Sequence, residues 1–304
     1  MSRIVDYFFA SRPMLILPVW SIYLVSLHYH HELADKEISS GNLAVLSGLT
    51  LLSAGAYYVN QIFDRVTDRS NQKVLFLQNR LVNEKTLMTL FILFSVITIA
   101  FAAFYSKVIF FIFLQLFGLG FIYSAPPLRL KDRPISGLLV NAFAFGLLVP
   151  ISIMPEITQH NAGLLGWDNP FYFFLSVIGV HILTTLPDIF GDKETSKKTV
   201  GVVFPKKIAM LLSFFAFAGA AFVAFQSGFI FLIIIGGVAA GVTLAALINP
   251  VDKLVLLTAK LPILLLTLLA GYFYPVYLLF VVVLILATRA YYQRRFNITY
   301  PKLA

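Results

Sequence analysis

Leu43-Ala-Val-Leu-Ser-Gly-Leu-Thr-Leu-Leu-Ser-Ala-Gly-Ala-Tyr-Tyr-Val59 runs directly into Asn60-Gln-Ile-Phe-Asp64-Arg-Val-Thr-Asp68-Arg69. The first part reads as a membrane-crossing helix, and the second carries it out at a membrane surface. A helix leaving the bilayer gains nothing from burying carboxylates there. Yet Asn60, Asp64 and Asp68 recur at every fourth position, which puts three oxygen-bearing side chains near one another on one helix face. Such a set suits a hard cation such as Mg²⁺, which takes a few carboxylates together with phosphate oxygens. The plain alternative is a polar helix end whose aspartates pair with Arg65 and Arg69.

The second half of the chain repeats the pattern. Asp188 and Asp192 close the apolar run Phe171–Leu186, each 124 residues after Asp64 and Asp68. Lys197 likewise follows Lys73 by 124 residues. Acids and a lysine in matching places of an internal repeat are the pattern of one site at a repeat interface. The chain is therefore read as a single membrane-embedded domain, residues 1–304, built from two pseudo-repeats at about 1–134 and 135–304.

Composition supports the membrane reading. Of 304 residues, 59% are hydrophobic and only 12% charged, too little polar surface for a water-soluble protein of this length. The absence of cysteine excludes disulfides, thiolate metal sites and thiol catalysis. A net charge of +9 follows from Lys and Arg in short loops between apolar runs, so nucleic acid is not an expected partner. No signal-peptide cleavage pattern follows the first residues, and the first apolar run is expected to remain as a helix.

Ten apolar runs are long enough to span, at about 14–30, 43–63, 86–105, 107–124, 135–154, 170–189, 207–226, 228–248, 253–273 and 275–292. The long charged breaks follow the second, fourth and sixth runs, so they share one side, and their basic residues make that side cytoplasmic. The basic ending Arg289 to Arg295 prefers the same side, consistent with an even number of crossings. The forty apolar residues from 253 to 292, interrupted at Pro275, are the doubtful region. Gly237 and Gly241 have the spacing of a helix-packing pair. His28, His30 and His31 read as interfacial residues. His181 reads as a core residue that could face a cavity near Asp188.

A third segment, Tyr123-Ser-Ala-Pro-Pro-Leu-Arg129-Leu-Lys131-Asp-Arg133, supplies cations beside the acids. The prolines predict an extended exit on which Arg129 and Lys131 point the same way. Carboxylate-held Mg²⁺ bridging phosphate oxygens, with Lys and Arg neutralising the rest, would form a diphosphate clamp.

Together, Asn60-x-x-x-Asp64-x-x-x-Asp68, the Tyr123–Lys131 segment and Asp188-x-x-Gly-Asp192 resemble the three signature segments of the UbiA superfamily of intramembrane prenyltransferases. The resemblance runs from about Arg12-Pro13 to the C-terminal end. It implies an all-α polytopic membrane bundle of about nine transmembrane helices, against ten by hydropathy, around a central cavity. It also implies two Mg²⁺ ions, one held by Asn60, Asp64 and Asp68 and the other by Asp188 and Asp192. Lys73, Arg129, Lys131 and Lys197 are then expected to contact the diphosphate of a polyprenyl substrate. Tyr123 is expected to offer its ring to an allylic cation, which a lipophilic or aromatic acceptor attacks. The active site would open to the cytoplasmic side of a multi-pass protein of the cell membrane, in contact with lipid. Departures from the family pattern are Gln61, the threonines at 184 and 185, and the missing Lys-Pro-x-Arg-Pro run after the first motif. A secondary transporter with acids between repeats is the rival, but its acids would sit near mid-membrane rather than at helix ends.

Overall fold

Backbone in hydrocarbon must satisfy its N–H and C=O groups within its own segment, so each apolar run becomes a helix. The computed structural model describes residues 3–34, 39–70, 76–153, 168–249 and 252–301, and no strand occurs among them. A short amphipathic helix, α1 (Arg3–Ala10), leads into α2 (Leu17–Ala34). Next come α3 (Ser40–Phe63), the six-residue α4 (Arg65–Ser70), α5 (Glu84–Tyr105) and α6 (Lys107–Ser124). The second half begins with α7 (Pro134–Ile151), α8 (Asp168–Thr184), α9 (Ile189–Glu194) and α10 (Val200–Val203). The long helices α11 (Lys206–Gln226), α12 (Ile230–Ile248), α13 (Asp252–Phe273) and α14 (Pro275–Phe296) complete it.

Local chemistry sets the ends. Ser39 caps α3 by accepting the Asn42 N–H at 3.2 Å, and Asn83 caps α5 by accepting from Lys85 at 2.8 Å. Pro134 and Pro275 occupy first turns, where a missing N–H costs nothing.

Among the described residues eight helices are long and apolar enough to cross a membrane, or nine if the pair Arg3–Leu15 and Leu17–His30, bent by 55°, counts as one span. The sixth run is the short one: α8 has 17 residues. The region 253–292, doubtful from sequence, forms two full helices broken at Tyr274. Asp6 of α1 accepts hydrogen bonds from Tyr291 at 2.6 Å and from Arg295 at 2.9 Å. Phe76, just past the first acidic motif, packs against Tyr291, Tyr292 and Phe296. Both α1 and the end of α14 thus lie at the acid-bearing end of the bundle.

In the first half α3 packs on the two long helices that follow it, α5 and α6, whereas in the second half α8 packs on α11, with α12 behind α11. Residues Ala142–Leu148 of α7 wind as a π-helical turn that lies against α8. There a Cβ on Gly146 would stand 2.4 Å from the Phe174 Cα, and backbone cannot give way as a side-chain tip can. Gly146→Ala is therefore expected to cost about 1–3 kcal/mol by overpacking. Thermal unfolding in detergent measures it, with Gly118→Ala, which meets open space, as the control. Equal midpoints for the two variants would contradict the close approach.

One expected packing motif is displaced. Gly237 and Gly241 are exposed and nothing lies within 4 Å of where their Cβ atoms would be. The glycine at a helix contact is Gly236, against the Ala221 backbone of α11 at 3.0 Å. Both faces of α12 are apolar, so spacing alone did not say which one meets protein. His28 stacks on Phe273 with ring centroids 3.5 Å apart, a structural role in line with the interfacial reading.

Candidate active site

The first acidic motif is not one continuous helix. Asp64 (φ −96°, ψ 8°) interrupts it, ending α3 and preceding α4, so Asn60 and Asp68 belong to different helices. In the second half the break is longer, Thr185–Asp188, but its last residue has nearly the same torsions. Asp188 (φ −92°, ψ 2°) precedes α9, and α9 begins and ends 124 residues after α4. These torsions lie in the sparsely populated bridge region, which aims a side chain that a regular helix could not. The two short helices pack on one another, which brings the acidic ends together.

The place they meet is one end of a cavity of about 1160 Å³. Asn60, Asp64, Asp68, Asp188, Asp192, Tyr123, Lys131 and Lys197 all line it. Lower down its walls become mostly apolar, with Leu49 and Leu52 of α3, Leu116 and Leu119 of α6, and Phe145 of α7. Of the residues expected from sequence, only Lys73 lies outside the described residues.

Asp64 is the electrostatic centre. Its Oδ1 lies 2.7 Å from Lys131 Nζ, 3.1 Å from Lys197 Nζ and 3.9 Å from the Arg129 guanidinium. Burial would raise the Asp64 carboxyl, but Lys131 and Lys197 outweigh it and hold the group below the usual carboxylate range. Burial pushes Lys131 down to about 8, against the pull of Asp64, and the nearby charges of Lys197 and Arg129 act in the same direction as burial. Two lysines converging on one buried acid keep a high density of positive charge facing the cavity.

The path of the third segment differs from the extended exit expected. Residues Ala125–Leu128 turn, Arg129 adopts a left-handed conformation (φ 39°), and Leu130–Asp132 form a 3₁₀ turn. Arg129 and Lys131 still reach the same acid, because the turn and not an extended strand aims them. Arg129 Nε also donates to Asp132 at 2.7 Å.

Sequence reasoning missed several partners. Arg12 Nη2 pairs with Asp68 Oδ2 at 2.7 Å and lines the cavity. Thr199 donates to Asp192 Oδ2 at 3.0 Å. Asp132 holds Lys197 at 3.7 Å through a carboxylate that the sequence reading left unassigned. Asn60 donates its amide to Ser124 Oγ at 3.2 Å, leaving its carbonyl oxygen as the group for a cation. The one available signal was Arg12-Pro13, the start of the resemblance. The departures also find places: Gln61 is buried, points away from the cavity and donates to the Ala10 carbonyl. Thr184 and Thr185 line the cavity, and Thr185 Oγ1 accepts the Gly201 N–H at 3.0 Å.

The donors fit a hard cation. Among the described residues no three His, Asp or Glu side chains converge on one point. Mg²⁺ does not need them, since it is usually held by one or two carboxylates plus substrate phosphate oxygens. An all-oxygen set of one amide and four carboxylates along a shared wall, with lysines beside it, has that chemistry.

The family model described as UbiA prenyltransferase family matches residues 15–253. The chain is 31% identical over 167 residues to "Probable homogentisate phytyltransferase 2, chloroplastic" of Oryza sativa subsp. japonica, covering 50% of this chain and 43% of that protein. It is 28% identical over 180 residues to "Lycopene elongase/hydratase" of Corynebacterium glutamicum, covering 56% of this chain and 60% of that protein. The chain thus spans about half the length of the curated relatives it matches. Among solved structures it is similar to a UbiA homologue of Archaeoglobus fulgidus bound to GPP and Mg²⁺, with TM-score 0.65 and 18% identity over 88% of this chain and 99% of the other. A digeranylgeranylglyceryl phosphate synthase structure matches with TM-score 0.66 and 16% identity over 89% and 97% of the two chains. At these identities the likeness to solved structures is one of fold. By the span of the family match and the all-helical membrane architecture, the chain is an integral, multi-pass member of the UbiA prenyltransferase family.

Proposed function

We propose that this protein is a Mg²⁺-dependent intramembrane prenyltransferase, moving a polyprenyl group from an allylic diphosphate to a lipophilic or aromatic acceptor. One observation carries the reading. Two acidic helix ends and the cations Lys131 and Lys197 gather at one end of a cavity whose remaining walls are mostly apolar, and Arg129, which does not line the cavity, stands 3.9 Å from Asp64. A charged head and a hydrocarbon tail require that polarity gradient.

In this proposal Asn60, Asp64 and Asp68 hold one Mg²⁺, and Asp188 and Asp192 the other. The bound ions would supply Lewis-acid charge to the departing diphosphate. Lys131, Lys197 and Arg129 neutralise the phosphate oxygens as the allylic C–O bond breaks, where preorganised charge is worth most. Tyr123 presents its ring face to the allylic cation, and the apolar walls keep water from it. The acceptor then forms the new bond and gives up a proton. The matching torsions at Asp64 and Asp188, and the packing of α4 on α9, support two pseudo-repeats that share this one site.

Relatives point the same way. Two of them are named as homogentisate prenyltransferases and another as a lycopene elongase/hydratase. The A. fulgidus homologue was solved with GPP and with DMAPP, each with Mg²⁺. A transporter reading is not favoured, because the acids lie at helix ends.

The test is turnover of geranyl, farnesyl and geranylgeranyl diphosphates against a panel of acceptors, with Mg²⁺ and with chelator. Transfer that needs the metal is expected; transfer unaffected by chelator, or none with any pair, would sink the reading. Sidedness is tested separately. The chain has no cysteine, so Asn297→Cys at the end of α14 is a unique label site. An impermeant thiol reagent is expected to reach it from the cytoplasmic side only; labelling from the other face would reverse the orientation.

A further inference from the structure

The chain turns back on itself where α14 ends. Asn297 takes the left-handed conformation (φ 54°), which a short polar side chain tolerates, while its N–H still bonds back to the Gln293 carbonyl at 3.1 Å. Residues 298–301 then continue as irregular chain. Tyr300 returns beside Tyr292 of the helix just left, with ring centroids 4.7 Å apart. The frame that receives it is tied down. Asp6 of α1, almost fully buried, accepts from Tyr291 and Arg295, and Phe9 stacks on Tyr291 at 3.9 Å. Phe76 packs against Tyr292 and Phe296, and Tyr300 packs on the same cluster.

Location gives the reversal a use. Ile298, Thr299, Tyr300 and Pro301 all line the main cavity, as do Arg12 and Asp68, the ion pair at its acidic end. Tyr300 is within electrostatic reach of Arg12, so the returning chain runs along that corner. The spans supply apolar walls deeper in. The allylic carbon, however, is bonded to the diphosphate and must sit at the acidic end, beside the charged groups that water favours. A cation formed there meets water unless the wall on this side is closed. An isoleucine, a tyrosine ring and a proline are side chains that exclude water. Irregular chain outside a span opens at little cost, so closure depends on the seat of the Tyr300 ring on Tyr292.

We infer that residues 297–301 form a strap across the acidic end of the cavity, which Tyr300 holds shut so that acceptor rather than water captures the allylic cation. The inference rests on the prenyltransferase reading and adds a determinant of product, namely which nucleophile reaches the cation. In the side reaction that the strap suppresses, the C–O bond to diphosphate breaks and a water oxygen bonds to the allylic carbon. The water proton passes to the released diphosphate, and the product is free prenol.

The test uses the full chain in detergent with Mg²⁺ and geranylgeranyl diphosphate carrying heavy oxygen at the bridging position, with no acceptor. Failure of the wild type to bind that diphosphate overturns the prenyltransferase reading itself. Once formed, the cation either recombines with diphosphate, which scrambles the label, or is taken by water as prenol. The ratio of prenol to scrambling reports water access, whatever the rate of ionisation. Tyr300→Ala is expected to raise that ratio about tenfold, a small change in the relative barriers of the two captures. Ile298→Ser, which makes the same wall polar, should raise it too. Tyr300→Phe keeps the ring and should match wild type. The unfolding midpoint is measured alongside, because a tail that merely anchors α14 would lower the midpoint and leave the ratio alone. An unchanged ratio in Tyr300→Ala overturns the strap, as does one in Ile298→Ser should the first variant not fold. A Tyr300→Phe that behaves like Tyr300→Ala overturns it as well. So does a bound diphosphate that gives neither product, since no cation then forms for the strap to protect.

Discussion

Replacing Asp64 by Asn is expected to cut prenyl transfer by about 10³-fold, the upper range for deleting one preorganised electrostatic group. Asp64 is given the largest effect because three cations stand around it, Lys131 at 2.7 Å, Lys197 at 3.1 Å and Arg129 at 3.9 Å. Asn keeps the shape but removes the charge that positions two lysines and one side of the metal set. The same change leaves buried cations short of a counter-charge, so some stability is lost as well. Unfolding midpoint and turnover must therefore be measured together. Asp188→Asn separates the two effects, since Asp188 is only half-buried and its loss should be catalytic more than structural. If both variants remain folded and keep a tenth or more of wild-type turnover, the paired-acid site is wrong.

The second large effect is expected at the lysines. Lys197→Met should weaken prenyl diphosphate binding about tenfold, the loss of a hydrogen bond to a charged group. Lys131→Met should do the same. The two share Asp64, so the double variant is expected to lose more than the sum: either lysine alone still faces the acid, and without both the acid keeps Arg129 at 3.9 Å and the more distant charge of Arg12. Binding of the diphosphate in the presence of Mg²⁺ measures this directly. Labelling at Asn297→Cys should be unchanged throughout, because the lysines act on the ligand rather than on membrane orientation. Strictly additive losses would mean that the two lysines do not act on one charge.

The positions of the spans and the placing of the acids at span ends were determined by sequence alone. Hydrocarbon forces each apolar run to hydrogen-bond within itself, so a helix there is a local matter. The repeat of Asp64 and Asp68 at Asp188 and Asp192 was equally legible, since a constant offset needs no structure to be seen. Rotation about each helix axis was not legible. Lipid is as apolar as protein core, so α12 carries no contrast between its faces, and spacing picked Gly237 and Gly241 where packing uses Gly236. The same blindness hid that Gln61 turns from the cavity while Lys260 turns toward it. Partners distant in the chain were also hidden: Arg12 meets Asp68 across 56 residues, and Lys197 meets Asp64 across 133. Two breaks between helices, at Asp64 and across Thr185–Asp188, aim those acids, and only the packing of α4 on α9 turns four separated carboxylates into one wall.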